Sequence, residues 1–245
     1  MPPTDSELLD NLAAVRARIE RAASVAGRAA AEIELLAVSK TKPADAIRVL
    51  HAAGQRAFGE NYLQEALEKQ ADLADLQSDP ATQIEWHYIG AIQSNKTRPL
   101  AEHFAWVHGV DRLKIAQRLS EQRPTSLPPL QVCLQLNISA EDSKSGVALD
   151  ALPALAREVM QLPHLQLRGL MVLPAPEDDP AQQRAVFAQV RHALEGLNTE
   201  LQPEPPFDTL SMGMSGDLEA AIAEGATIVR IGTDLFGARS SKASA

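Results

Sequence analysis

The sequence predicts a single (β/α)8 TIM barrel, and two patterns along the chain indicate this fold. Eight short runs with strand-like composition alternate with segments in which apolar residues recur at helical spacing. Distinctive polar residues follow the ends of these runs, as they do at the carboxyl rim of a barrel, the face that carries active sites. An open doubly wound sheet is the alternative, but the first run is not followed by a Gly-x-Gly-x-x-Gly motif.

The elements follow one another in a simple order within one expected domain, residues 1–245. An extra helix comes first, within about residues 1–28, where Leu8, Leu12 and Val15 recur on one face and Gly27 closes the pattern. Strands are predicted at about residues 33–39, 56–59, 84–89, 104–108, 130–138, 165–172, 207–211 and 227–231. Helices are predicted at about residues 44–53, 62–77, 95–102, 111–122, 149–161, 180–200 and 216–224, before a flexible tail at about 238–245.

The composition excludes several classes of protein. A net charge of −9 with only 4% aromatic residues is a poor match to a nucleic-acid-binding protein. No stretch approaches the roughly 18 uninterrupted apolar residues of a membrane helix, and the polar, acidic first residues do not resemble a signal peptide. The single cysteine, Cys133, cannot form an internal disulfide, so we expect a cytoplasmic protein that handles a small molecule.

Lys40 is the most distinctive residue that follows a predicted strand. It comes directly after an apolar run, so we expect its amine to emerge from the packed interior of the barrel. Desolvation there would lower the pKa of the amine and make it a nucleophile toward an aldehyde. A lysine that extends from the strand end into solvent is the alternative for Lys40, and this is our interpretation of Lys42.

Two glycine-containing turns predict a phosphate site. Ser215 is expected to cap the helix that follows the seventh strand, where Gly213 and Gly216 let the backbone approach a ligand. A second turn, with Gly232 and Thr233, follows the eighth strand. Rim phosphate sites in barrels are built from these two loops. A helix cap without a ligand remains the alternative for the first turn.

Two further residues leave their roles open in the sequence. Arg230 ends the eighth strand and could donate to the ring nitrogen of a bound ligand, or it could pair at the surface with Asp234 or Glu224. His87 is either a rim contact or a strand histidine satisfied by a neighbour. The six histidines and Cys133 show no paired spacing of metal ligands, so no metal site is predicted.

Six strings spread along the chain resemble one known family. They are AVSKTKP (37–43), FGENYLQE (58–65), HYIGAIQSNK (87–96), GLMVLPAP (169–176), LSMGMSGDLEAAI (210–222) and VRIGTDLFG (229–237). On these strings the chain is similar to the pyridoxal phosphate homeostasis protein family, also called YggS or PROSC. HxIGxxQxNK and SMGMSxD are specific motifs, and together the strings span nearly the whole sequence.

This resemblance implies a fold, a cofactor and a set of site residues. The fold is similar to the N-terminal barrel of bacterial alanine racemase, without that enzyme's C-terminal β-domain. The cofactor is pyridoxal 5′-phosphate (PLP), held as an internal aldimine, a Schiff base, on Lys40. Ser215, Gly232 and Thr233 correspond to phosphate contacts, and Arg230 to the arginine that faces the pyridine nitrogen. The other residues expected to line the pocket are Asn61, His87, Asn137, Met171, Ser211 and Met212.

The resemblance also implies a carrier rather than an enzyme. It implies a monomer that sequesters PLP and delivers it, with apo PLP-dependent enzymes as recipients. Racemisation needs a second base, and the two tyrosines, Tyr62 and Tyr88, both lie near early strands. A PLP-dependent amino-acid racemase remains the alternative, and a phosphosugar-binding barrel with a Schiff base on Lys40 is a more remote one. Lys144, in the loop after the fifth strand, is either a secondary aldehyde acceptor or a solvated lysine.

Overall fold

The computed structural model describes residues 3–138 and 145–237, and it contains a closed barrel of eight parallel strands. Each strand pairs with the next in the chain, and the eighth pairs with the first. The strands are β1 (Glu34–Val38), β2 (Ala57–Glu60), β3 (Glu85–Tyr88), β4 (Trp106–Val110), β5 (Leu130–Leu136), β6 (Leu165–Val172), β7 (Thr209–Ser211) and β8 (Ile228–Ile231). The predicted fold is therefore confirmed.

The helices lie between the strands along the chain. They are α1 (Asp5–Val25), α2 (Ala44–Ala52), α3 (Leu63–Asp72), α4 (Thr97–His103), α5 (Leu113–Gln122), α6 (Leu152–Val159), α7 (Pro180–Leu201), α8 (Leu218–Ala223) and α9 (Thr233–Phe236). Among the described residues, no helix is both long and apolar enough to cross a membrane.

The strands are buried on both faces, which divides the core into two layers. The larger layer packs the outer faces of the strands against the helices. The smaller layer fills the interior of the barrel, and its buried residues are Leu36, Val38, Ala57, Ile89, Trp106, Cys133, Met171 and Ile228. Parallel strands covered on both sides carry nearly continuous apolar runs, which is why the sequence reveals them.

Helix α1 lies against the end of the chain that returns to the barrel. It begins with a capping box, in which Thr4 and Glu7 satisfy each other's backbone N–H groups. Arg18 of this helix forms salt bridges with Glu219 of α8 at 2.5 Å and with Asp234 of α9 at 2.9 Å. The extra helix therefore supports the two elements that follow β7 and β8.

Most boundaries lie within three residues of the prediction, and three differences have a clear structural cause. The strand expected at 104–108 is Trp106–Val110, where its pairing with β5 shifts register between Val107 and Val110. The helix expected at 62–77 ends at Asp72 and continues as a separate 3-10 helix, Ala74–Gln77. The short helix α9 was not predicted, because four residues are too few to show a period. The predicted tail at 238–245 lies outside the described residues.

Candidate ligand-binding site

Lys40 lies in a tight turn directly after β1, and its side chain is half-buried. The backbone N–H of Lys42 donates to the carbonyl of Ser39 at 3.0 Å and so closes this turn. Thr41 has a φ of 63°, a left-handed conformation that is uncommon for a β-branched residue. The turn therefore holds Lys40 in a defined position at the carboxyl rim of the barrel.

A buried ion cluster beneath the turn holds that conformation. Lys69 of α3 donates to Glu60 at 2.7 Å, to Glu65 at 2.6 Å and to the carbonyl of Ser39 at 2.7 Å. The N–H of Thr41 donates to the same Glu65 oxygen, and the Ser39 hydroxyl donates to Glu60. Burial raises the pKa of Glu60, an effect that the neighbouring Lys69 opposes. The backbone on both sides of Lys40 is thereby tied to one charged cluster.

Asn61 follows β2 at the same rim, held close to the end of β3. A Cβ atom at Gly90 would lie 2.3 Å from the carbonyl oxygen of Asn61, so glycine is required there. The Tyr88 hydroxyl donates to that carbonyl at 3.1 Å. The side-chain oxygen of Asn61 is buried and has no hydrogen-bond partner among the described residues. This acceptor is free to meet a donor group of a ligand.

The turn after β7 is built differently from the prediction. Gly213 has a φ of 93°, and a Cβ there would lie 2.6 Å from the Cβ of Ala221 in α8. The N-cap of α8 is Asp217, not Ser215, because the Asp217 carboxylate accepts from the N–H of Met214 and closes a turn that delays the helix. The prediction that Ser215 caps the helix is therefore wrong.

Free backbone donors nevertheless gather at this turn and at the one after β8. The N–H groups of Ser215, Gly216 and Gly232 donate no hydrogen bond within the described part of the chain, and neither does the Ser215 hydroxyl. A Cβ at Gly216 would meet nothing within 4 Å, so open space lies beside it. The N–H of Arg230 donates to the carbonyl of Gly213 at 2.9 Å and joins the two turns.

Thr233 begins α9, next to Gly232, and is exposed. The Lys42 ammonium donates to the carbonyls of Phe236 and Gly237 at 2.8 and 3.0 Å. Lys42 therefore ties the turn after β1 to the end of α9, whereas the sequence interpretation left it in solvent. A Cβ at Gly232 would lie 3.3 Å from the Val38 carbonyl, so this turn passes close to the end of β1.

Arg230 is buried, with only 3% of its surface exposed, and it lies alongside Leu36 in the register of β1 and β8. Its guanidinium donates to the Ser211 carbonyl, to the Ser211 hydroxyl at 2.8 Å and to the Val172 carbonyl at 2.7 Å. Burial lowers the pKa of Arg230 to about 10, so it remains a cation at neutral pH.

No carboxylate of the described residues forms an ion pair with Arg230. The surface pairs that the sequence left open are occupied elsewhere, since Asp234 binds Arg18 and Glu224 binds Arg184 and Arg191. The three acceptors account for three of the five N–H donors of a guanidinium. A buried cation with donors to spare is suited to a ligand that brings an acceptor.

His87 is fully buried inside the barrel, with both ring nitrogens engaged. Its Nε2 lies 2.9 Å from Glu85, and its Nδ1 lies 3.0 Å from Nε2 of His108. The structure thus shows the strand histidine satisfied by neighbours, which was one of the two interpretations of His87. His108, which is not among the residues predicted from sequence, also contacts the Ser211 hydroxyl at 2.8 Å. The alternation of β4 could have found it, since His108 lies two residues after the inward-facing Trp106.

The remaining predicted residues fall into two groups. Met171 is buried in the interior layer and lies opposite Ser211 in the strand register, and Asn137 follows β5 and is half-buried. The Met212 side chain is instead buried in the outer layer, between the sheet and the helices, so only its backbone could face a ligand. Lys144 lies outside the described residues.

Comparison with known proteins gives three consistent results. The family model of the alanine racemase N-terminal domain matches residues 11–240. The pyridoxal phosphate homeostasis protein of Pseudomonas aeruginosa is 65% identical over 234 residues, which cover 96% of each chain. PipY of Synechococcus elongatus, in a structure with PLP bound, superposes with a TM-score of 0.81 at 39% identity, over 94% of this chain and all of that one.

A more distant likeness concerns the fold alone. The alanine racemase of Corynebacterium glutamicum superposes with a TM-score of 0.68 at 18% identity. The match covers 98% of this chain and 64% of that enzyme. The barrel of this chain therefore has the architecture of the barrel in that larger enzyme.

Proposed function

The chain belongs to the pyridoxal phosphate homeostasis proteins, within the alanine racemase N-terminal domain family, and on this premise we propose that it binds PLP for storage and delivery. Lys40 holds the cofactor covalently at the carboxyl rim of the barrel. One observation carries this proposal. Arg230 is buried without an ion-pair partner among the described residues, and it lies at the same end of the barrel as the half-buried Lys40.

The residues present fit this cofactor. When bound, PLP supplies an aldehyde that condenses with an amine, and Lys40 provides the amine. The free N–H groups of Ser215, Gly216 and Gly232, with the Ser215 hydroxyl, are donors suited to the phosphate oxygens. Because α8 and α9 have only six and four residues, these turn donors carry the phosphate binding rather than a helix dipole.

The ring has its own contacts in this assignment. Arg230 would donate to the pyridine nitrogen of bound PLP and leave it unprotonated, so the ring would be a weak electron sink. Asn61 offers the unpartnered side-chain oxygen, and Met171 and Asn137 line the pocket from β6 and from the end of β5. Thr233 supports the phosphate turn from the start of α9.

The same residues support storage rather than catalysis. Tyr62 is 52% exposed, and the Tyr88 hydroxyl is hydrogen-bonded to backbone carbonyls, so neither is poised as a catalytic base. Burial raises the pKa of the Cys133 thiol to about 12, so it remains protonated. Chiral assays with a panel of amino acids are expected to show no turnover, and steady racemisation lost in Lys40→Ala would contradict the carrier assignment.

A titration with PLP tests the proposal. The purified protein is expected to develop a visible absorption band that is bleached by borohydride, and Lys40→Ala is expected to lack this band. Lys114→Ala is the matched control, because Lys114 is exposed on α5. A wild-type protein that stays colourless with excess PLP, or an equal band in Lys40→Ala, would overturn the proposal.

We also propose a compartment, an oligomeric state and recipients for the cofactor. The protein works in the cytoplasm as a monomer and hands PLP to apo PLP-dependent enzymes. The single cysteine supports a reducing compartment. The exposed large apolar residues of the described chain are scattered along it, and only Leu9 and Val25 share a helix, which supports a monomer; they are Leu9, Val25, Tyr62, Leu127, Leu149, Leu173 and Met214. A mass near 26.4 kDa by light scattering is expected.

The proposed transfer can be measured directly. Lys144 is proposed as a secondary acceptor of the aldehyde, because it comes shortly after β5 in the sequence. PLP transfer to an apoenzyme is expected to slow in Lys144→Ala, and transfer rates equal to those of the wild type would retire this role.

A further inference from the structure

A line of polar side chains crosses the interior of the barrel and ends at Arg230. It begins at the Glu85 carboxylate, which forms a hydrogen bond with His87 Nε2 at 2.9 Å. It continues with a second hydrogen bond, from His87 Nδ1 to His108 Nε2 at 3.0 Å. His108 Nδ1 then lies 2.8 Å from the Ser211 hydroxyl, which accepts from Arg230 at 2.8 Å. The three middle residues are fully buried, whereas the Glu85 side chain is 44% exposed. The line therefore connects solvent near the start of β3 with the guanidinium.

The chemistry of the line fixes the direction of its hydrogen bonds. The Glu85 carboxylate can only accept, so His87 carries a proton on Nε2. If His87 is neutral, its Nδ1 is a lone pair and His108 must donate from Nε2. A neutral His108 then accepts at Nδ1 from the Ser211 hydroxyl, which in turn accepts from Arg230. Every donor in this state points toward Glu85.

Burial, with the help of the surrounding charges, disfavours protonation of His108. Burial, followed by the neighbouring His87 and Arg230, places the pKa of His108 well below its usual value. The hydrogen bond from His87 lowers the pKa of Glu85 and keeps that carboxylate charged. The other titratable or charged groups that act on Glu85, His87 or Arg230 are Glu34 on β1, Cys133 on β5, Arg168 on β6 and Asp217 before α8.

A proton added to His87 reverses the direction of the hydrogen bonds on either side of His108, and His108 itself stays neutral. Doubly protonated His87 donates from Nδ1, so Nε2 of His108 must become the acceptor and its proton must move to Nδ1. Ser211 then accepts from both His108 and Arg230, and its hydroxyl no longer donates to His108. The Trp106 ring stacks on His87, with centroids 5.3 Å apart and planes 9° apart, and so holds its orientation in both states.

We propose that His108 is a positioning residue for Arg230, and that the line from Glu85 through His87, His108 and Ser211 couples protonation of His87 to the ring-facing side of the PLP site. The geometry that carries this is an unbroken series of contacts between buried groups with one solvent-facing end. The inference rests on the proposed function only for its last link, because the line itself exists without the cofactor.

The first test observes the line in PLP-free protein. Nitrogen-15 NMR of labelled histidines reports which ring nitrogen carries the proton. His108 is expected to carry it on Nε2 at high pH and on Nδ1 once His87 is protonated. In His87→Gln, His108 is expected to keep one tautomer throughout. A wild-type His108 that keeps one tautomer while His87 titrates would overturn the inference.

The second test adds PLP as the probe. The affinity for PLP and its absorption maximum are expected to change across the same pH step, with an affinity change of about fivefold or more. His87→Gln is expected to lose this step, whereas His192→Gln, the same change at an exposed histidine on α7, is expected to keep it. If the tautomer switches but the PLP properties of wild type and His87→Gln remain parallel, the coupling is contradicted. Failure of PLP to bind at all would contradict the proposed function instead.

Discussion

At the scale of single residues, the site is marked by polar groups that lack partners within the described part of the protein. Among the described residues, Arg230 has no carboxylate as an ion-pair partner, and the Asn61 side-chain oxygen has no hydrogen-bond donor. The turn N–H groups of Ser215 and Gly216 have no acceptor there either. Buried polar groups are normally paired, so the unpartnered Asn61 oxygen and the spare donors of the buried Arg230, at one end of the barrel, indicate a ligand.

Gly216 gives the sharpest residue-level prediction for the phosphate. A methyl group there would meet no protein atom, so Gly216→Ala is expected to leave the free energy of unfolding nearly unchanged. If the phosphate occupies the adjacent space, the same change is expected to weaken PLP binding by about tenfold, or about 1.4 kcal/mol. Isothermal titration measures the affinity.

Gly196 is the matched control for this prediction. A Cβ added at Gly196 would also meet open space, but this residue lies in α7, where Gly196→Ala is expected to leave PLP affinity unchanged. Equal PLP affinities of the Gly216→Ala and Gly196→Ala proteins would place the phosphate elsewhere.

Cys133 gives a prediction on pH dependence. Burial raises the pKa of its thiol to about 12, so the unfolded chain ionises first as pH rises above about 9. This residue's contribution to stability is therefore complete below pH 9 and is lost as pH rises toward 12. Between pH 8 and 10 the wild type is expected to lose about 1 kcal/mol more unfolding free energy than Cys133→Ala. Equal losses in urea melts of the two proteins would contradict the shift.

The sequence predicts the roles of some site residues well and those of others poorly. Lys40 could be selected because a lysine at the end of an apolar run is conspicuous. The alternation of β4 places His108 on the inward face but does not indicate its role, because that role comes from a contact with His87, 21 residues away on the neighbouring strand. The cap at Ser215 was misassigned because the Asp217 carboxylate competes for the same turn.

At the scale of elements, α1 acts as a support for the phosphate turns. Its buried face packs on α8 and α9, and Arg18 bridges the same two helices. Helix periodicity made α1 predictable from sequence, but its partners were not predictable, because the pattern of one helix does not say which surface covers it.

Two leucines of α1 test its packing. Leu12 is buried, so Leu12→Ala is expected to cost about 2–5 kcal/mol of unfolding free energy from lost contacts and a residual cavity. Leu9 is 43% exposed on the same helix, and Leu9→Ala is expected to change stability by about 0.5 kcal/mol or less. Urea denaturation provides both values. Similar losses in the two variants would mean that α1 is not docked as described.

At the scale of the whole molecule, the barrel was the most predictable feature. All eight strands were found because they are largely buried on both faces and most of them are short apolar runs. Closure brings the carboxyl ends of β1, β7 and β8 to one rim, so Lys40 and the two glycine turns meet although about 170 residues separate them in the chain.

PLP is expected to stabilise the whole barrel, since it binds the folded state alone. At a PLP concentration about 100 times the dissociation constant, mass action adds about 2.7 kcal/mol to the free energy of unfolding. Thermal melts are expected to show a rise of several degrees for the wild type and a much smaller rise for Lys40→Ala at the same concentration. Equal rises would show that Lys40 contributes nothing to binding.

The most direct test of the central claim locates the covalent bond. The protein is saturated with PLP, reduced with borohydride, digested and mapped by mass spectrometry. A single phosphopyridoxyl group on Lys40, at one per chain, is the predicted result. Labelling spread over the surface lysines, or a dominant label on a lysine other than Lys40, would contradict the assignment of Lys40 as the residue that holds the cofactor.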